Sequence, residues 1–194
     1  MIIAKDNGQN FPKLPLPEAG TAQAVCCGVW DLGLQKTSYK GVEKIQHKII
    51  IAWELAEKID APDSEFHGKP YMLSKKYTLS LGEQATLRKD LESWRGKAYT
   101  PDEVRTGIDL EKLYGINCFL GVTHKSSASD PSKVYANISA ILPMTKGVEK
   151  IAPVRLADDE PPKWVQEKRA EQVLPQNVED FLQTEPDFGE NPFI

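Results

Sequence analysis

From Lys44 to Ala56 the chain reads KIQHKIIIAWELA, a run that alternates. Ile45, His47, Ile49, Ile51, Trp53 and Leu55 fall on one side, and Gln46, Lys48, Ile50, Ala52 and Glu54 on the other. Successive side chains of a strand point to opposite faces, so a period of two over this length specifies a half-buried β-strand. A strand of that kind needs paired neighbours and a layer to cover its apolar face.

The rest of the chain supplies them. Thr21 to Gln35 (TAQAVCCGVWDLGLQ) is rich in β-formers and lacks proline, and a turn-like loop, Lys36 to Glu43, follows it. Pro70 to Leu81 is a third strand, with Tyr71, Leu73, Tyr77, Leu79 and Leu81 on one face and Lys75 interrupting them. Met72, Ser74, Lys76, Thr78 and Ser80 make its polar face. The period then changes: Ala85, Leu87, Leu91 and Trp94 recur at helical spacing up to Gly96, and Ser80 with Glu83 has the spacing of a capping box. Ile108 to Tyr114, closed by Gly115, reads as a second helical turn. Asn117 to His124 and Val134 to Leu142 are two more strands, separated by the polar loop Lys125 to Lys133. In the last strand Val134, Ala136, Ile138, Ala140 and Leu142 form the apolar face, and Tyr135, Asn137 and Ser139 the wetter one.

The order strand–strand–strand–helix–strand–strand predicts a mainly β domain over residues 21–145. The expected architecture is a five-stranded OB-type Greek-key barrel with its helix between strands 3 and 4. Residues 1–20, with Gly8, Pro12, Pro15, Pro17 and Gly20, read as an extended arm. Residues 146–177 read as a linker with a short helix around Pro162 to Val173, and residues 178–194 as an acidic tail.

In such barrels strands 2 and 3 and the loops joining strands 1–2 and 4–5 carry the ligand face. Here those places offer Lys48 and Lys76 on the outward faces, Lys36, Tyr39, Lys40 and Lys44 in the first loop, and Lys125, Lys133 and Tyr135 around the last. Cations that track phosphates, together with exposed rings on which bases stack, are what single-stranded nucleic acid requires. Trp30 is a further stacking candidate, whereas Trp53 and Tyr77 lie on apolar faces and read as core.

The overall charge of −4 opposes such a ligand on average, but it is unevenly distributed. Residues 1–153 hold 20 Lys+Arg against 18 Asp+Glu, residues 154–194 hold 4 against 10, and no Lys or Arg follows Arg169. The end of the chain, EDFLQTEPDFGENPFI, mixes carboxylates with Phe181, Phe188 and Phe193, an unusual composition for a purely solvating tail. It resembles the C-terminus of bacterial and phage single-stranded DNA-binding proteins, in which acidic residues precede a terminal Pro-Phe. Pro192 and Phe193 match, and Ile194 departs by adding one residue. The stretches GVWDLGLQ (28–35), KPYMLSKKYTLSL (69–81) and LRKDLESWRGKAY (87–99) are similar to phage-encoded members of that class.

The resemblance implies sequence-tolerant binding and protection of single-stranded DNA, with RNA left open, during phage replication or recombination. It also implies recruitment of replication and repair enzymes through Asp187, Phe188, Glu190, Pro192 and Phe193. Homodimers are common in the class, and an exposed strand edge would suit one.

Other chemistry is weakly signalled. No Gly-rich phosphate loop, CxxC pair or HExxH motif is present, so neither cofactor nor metal is expected, nor catalysis. Asp31, Glu54 and Lys58 are the residues a metal-dependent nuclease reading would use, and a protein-interaction OB module without nucleic acid is a further alternative. Cys118 and His124 are too far apart along one strand to form a nucleophile pair. Cys26, Cys27 and Cys118 read as buried, reduced thiols, with the adjacent pair pointing to opposite faces. No signal peptide or membrane-length apolar run is visible, and a cytoplasmic location, in the host cell if phage-encoded, is expected.

Overall fold

The computed structural model describes residues 14–39, 41–128 and 130–173 of the 194-residue chain. The alternating segments form β1 (Gly20–Tyr39), β2 (Val42–Lys58), β3 (Pro70–Thr78), β4 (Asn117–Ser126) and β5 (Val134–Leu142). They make one antiparallel sheet in the order β3-β2-β1-β4-β5. The molecule is mainly β. Its helices among the described residues are short: α1 (Thr86–Arg95), α2 (Pro101–Thr106), α3 (Lys163–Ala170) and a 3-10 turn at Glu111–Leu113. The edge strands β3 and β5 touch, and inward side chains of all five strands share one core that includes Cys26, Trp53, Tyr77, Leu120 and Ile141.

β1 and β2 run on where a loop was expected. Thr37 to Tyr39 pair with Val42 to Lys44, and Gly41 takes a φ of 81° at the turn, a conformation that suits glycine in a tight hairpin. The pairing of β1 with β4 covers only Gly20 to Val25 and that of β2 with β3 begins at Lys48, so residues 34–39 and 42–47 project as a two-stranded hairpin.

α1 closes one end of the core with Leu87, Leu91 and Trp94 buried, as its spacing predicts. The Trp94 ring lies 5.5 Å from that of Trp53, its Nε1–H donates to the Asn117 carbonyl, and Ser93 Oγ donates to the Ile141 carbonyl. The helix starts later than the Ser80–Glu83 spacing implies, with Ala85 at its N-cap and no side-chain cap. Ser80 Oγ instead accepts from the Gly82 N–H, which spends the hydroxyl on a turn. A true capping box lies further on, where Thr100 and Glu103 exchange hydrogen bonds at the start of α2. Lys75, the cation that interrupts the apolar face of β3, reaches Asp90 of α1 at 2.6 Å, and Tyr77 donates its hydroxyl proton to the same carboxylate.

The apolar face of β5 corrects the expectation. Ala136 and Ile138 pack on the core, but beyond them Ile141 is the buried residue and Leu142 is exposed. The pairing shifts between Gly121↔Ala140 and Val122↔Ile138, and the extra residue reverses which side chains point inward.

A second layer comes from residues expected to be a linker. After β5 the chain crosses to the outer face of β1 and β2, where α3 seats Val165 in a cluster with Cys27, Trp30, Leu32, Ile50 and Ala52. Residues 49–55 of β2 are consequently buried on both faces. The N-terminal arm is also tied down where it is described: Leu14 packs on the core, and the Pro17 carbonyl bonds His124 Nε2 at 2.8 Å. No helix among the described residues is long and apolar enough to cross a membrane.

Candidate nucleic-acid interface

The sequence-selected cations occupy three places. The first is a shelf on the outer face of β2 and β3. Cross-strand pairing puts Gly33, Lys48 and Thr78 in one row and Trp30, Ile50 and Lys76 in the next. Lys48 Nζ donates to Gln46 Oε1 at 2.8 Å and to Thr78 Oγ1 at 2.7 Å, which holds the ammonium over the shelf. Burial, followed by the charge of Lys76, lowers its pKa. Together they line an open groove of ≈ 530 Å³ with Gln46, Thr78, Ser80 and Thr86. Among the described residues lining it none is acidic, and neither lysine forms an ion pair with a described carboxylate. Two adjacent cations in a polar groove make a place where an anion is favoured.

The second place is the projecting hairpin. Lys44 is exposed there, and Lys36 sits 3.6 Å from Glu43. Lys40 and the Tyr39 side chain lie outside the described residues. The third is the β4–β5 end, where exposed Lys125 pairs across from Tyr135 and Lys133 lies 3.4 Å from Asp130. Tyr135 is 52% exposed and borders an apolar groove of ≈ 680 Å³ with Leu16, Phe66, Tyr71 and Met72.

The two loop groups do not come together. Gly20 of β1 pairs beside the β4–β5 end, and Lys36 stands sixteen residues further along the same strand. That separation is about 50 Å of strand at ~3.3 Å per residue. Lys36 and Lys44 adjoin the Lys48–Lys76 shelf along β1 and β2, whereas Tyr135 approaches it from the other edge of the sheet, beside Met72, four residues from Lys76 on β3.

Trp30 is not the exposed ring the sequence reading made it. It lies on the outer face because the bulge between Cys26 and Gly28 reverses the phase of β1, whose Ala24 and Cys26 face the main core, and only 7% of it is exposed. Trp164 of α3 meets it edge-on at 6.1 Å, and the Arg155 guanidinium stands 5.5 Å from its ring. The signal that sequence reasoning missed is in the segment that covers it. The Glu54 carboxylate, 7% exposed, accepts the N–H groups of Val154 at 2.6 Å and Arg155 at 3.1 Å, anchoring that segment to β2. Asn117 does the same on β4, accepting from the Ile151 N–H and donating to its carbonyl.

The residues of the nuclease reading are dispersed. Asp31 pairs opposite Ile49 and Glu54 opposite Val25, about 17 Å apart along β2. Burial works against ionisation of Asp31, but the Gly33 N–H and the His47 ring at 2.6 Å hold its pKa below the usual value. Among the described residues no three His, Cys, Asp or Glu side chains gather as a metal site. The three thiols are free and buried, Cys26 facing the main core and Cys27 the outer cluster. Burial pushes the Cys26 pKa up to about 12 and raises those of Cys27 and Cys118 further.

Asp187, Phe188, Glu190, Pro192 and Phe193 lie outside the described residues. Compared with protein-family models and with curated proteins, the sequence matches none.

Proposed function

We propose that the protein binds single-stranded DNA without strong sequence preference and protects it during phage replication or recombination. In this reading the acidic tail recruits the enzymes that act on that DNA. The observation that carries the proposal is the Lys48–Lys76 groove on the outer face of β2 and β3. Its two cations have no described carboxylate to pair with, and they sit among hydrogen-bonding side chains that suit phosphate oxygens. The strand order, the contact between β3 and β5, and the position of α1 between β3 and β4 support treating the sheet as an OB-type barrel. On that fold the outer face of β2 and β3 is where single strands bind.

The test is titration of a labelled oligo-dT followed by anisotropy at two salt concentrations. Binding that weakens steeply with salt is expected, and no binding at low salt overturns the proposal.

A further inference from the structure

We propose that α3 is a displaceable cover, and that single-stranded nucleic acid takes the outer face of Trp30 in its place. The inference rests on the nucleic-acid reading and assigns that ligand a second, concealed part of its site. Trp30, Ile50 and Lys76 stand opposite one another on β1, β2 and β3, and Lys48 lies in the adjoining row. Neighbouring strands are ~4.8 Å apart, so the Trp30 and Lys76 backbones are about 10 Å from each other across one sheet face. A chain of phosphates along the two lysines would therefore bring its bases over β2 and β1. The β3 half of this surface is open, and the half that holds the ring is under α3.

The cover is slight. α3 spans eight residues, too few to be a stable helix in isolation, so its order comes from docking. Only Val165 of the eight is buried. Further ties are the Trp164 edge on Trp30, Gln35 Nε2 donating to the Lys168 carbonyl at 3.1 Å, Arg169 Nε donating to the Asp31 carbonyl at 2.9 Å, and the Gln172 side chain packed on Gly33. Beyond the helix, the Val173 N–H donates to the Leu34 carbonyl at 2.7 Å.

The chain before α3 is held independently, by Glu54 on Val154 and Arg155 and by Asn117 on Ile151. Exposed residues 156–160 separate those anchors from α3, so the helix can leave while the anchors stay.

What α3 leaves behind is a preformed platform. The indole lies against Gly28, where an added Cβ would collide with the Trp30 ring, so its seat belongs to β1 and not to α3. Arg155 beside the ring is fixed through its backbone to Glu54. Leu32, Ile50 and Ala52 complete an apolar surface, and a base stacked there would replace the contact made by Trp164. The affinity measured with the cover present is then lower than that of the open face by the fraction of molecules that are open.

Amide hydrogen exchange on the full chain, with and without saturating oligo-dT, tests the cover directly. Exchange in residues 163–173 is expected to accelerate on binding while β2 and β3 become protected. Unchanged or slower exchange in 163–173 at saturation overturns the cover, whereas absence of any binding at low salt overturns the nucleic-acid reading instead.

Two uncharged substitutions add an affinity readout. Val165→Ser removes the buried anchor, and Trp164→Ala leaves Val165 in place as the milder change. Each is expected to tighten oligo-dT binding by about threefold or more, as the open fraction rises. Weaker binding by the folded Trp164→Ala protein would make α3 part of the binding face and overturn its role as a cover.

Discussion

Replacing Lys48 and Lys76 together by alanine isolates the groove from the rest of the surface. Lys48 bonds Gln46 and Thr78, whose side chains already lie 3.5 Å from each other, so its removal leaves these two to pair. Lys76 is exposed and has no described ion-pair partner. The fold is expected to lose no more than about 0.5 kcal/mol, checked by thermal melting. Binding responds differently. Each phosphate contact to a single strand contributes about 0.7 to the slope of log affinity against log salt, so losing two flattens the slope by ~1.4. Between 50 and 200 mM salt, a fourfold change, the advantage of the unaltered protein over the variant therefore shrinks about sevenfold. The assay is anisotropy of labelled oligo-dT at three or more salt concentrations. A variant with full affinity and an unchanged slope would remove the groove from the interface, whatever else binds.

Two predictions concern the scaffold. Glu54→Ala takes away a charged acceptor of two backbone N–H groups and should destabilise by about 3 kcal/mol in urea unfolding, and Glu54→Gln by roughly half of that. A loss below about 1 kcal/mol for the alanine variant would mean that water replaces the carboxylate at little cost. Glu103 provides a pH signature. Its hydrogen bonds from the Arg95 guanidinium and the Thr100 backbone lower its pKa from 4.5 to about 2. A carboxylate depressed in the folded state stabilises above its unfolded pKa and loses that contribution as pH falls through the folded value. The difference in melting temperature between the native protein and Glu103→Gln should thus be constant above about pH 5 and close as pH approaches 2. A difference that persists unchanged to the acid end would refute the assignment.

Much of the sheet could be read from the sequence because local pattern determines it. The alternation of Lys44 to Ala56, the stripe Leu87, Leu91 and Trp94 ending at Gly96, and the bounds of β5 need no knowledge of distant residues. Cys26 and Cys27 facing different clusters follow from the same period of two. The phase of β5 failed for an equally physical cause. One extra residue at a bulge inverts all that follows, and Gly121 and Ser139 carry no pattern that announces it. The start of α1 failed because a serine hydroxyl can cap a helix or close a turn, and Gly82 two residues on favoured the turn. The helix that follows Thr100 went unread, although TPDE at Thr100 to Glu103 carries a capping threonine, a first-turn proline and a glutamate to complete the box.

The candidate site was legible in composition and not in arrangement, and the reason is register. Strand alternation says that Lys48 and Lys76 point outward, but Trp30 joins them only through the bulge between Cys26 and Gly28, and which of the three are neighbours depends on pairing across β1, β2 and β3. A two-residue slide of β3 would keep every face the same and move Lys76 by about 7 Å along the strand, away from the row of Trp30. The cover was less legible still, because KWVQEKRA offers a single buried valine and no apolar stripe. Its evidence lies on the strand it protects. Ile50, Ala52 and Glu54 break the polar side of β2 with two apolar residues and a carboxylate, on a face that would otherwise meet water. Once Val165 is seen over Ile50 and Ala52, and the backbone of Val154 and Arg155 on Glu54, those residues cease to be irregularities of an exposed face. The outer face of β2 then has two parts: a wet half near Lys48 that is open, and an apolar half around Trp30 that the chain itself covers. The apolar half adjoins the cations in the same cross-strand rows, which is the arrangement a stacked, phosphate-bearing ligand would need if α3 were to yield.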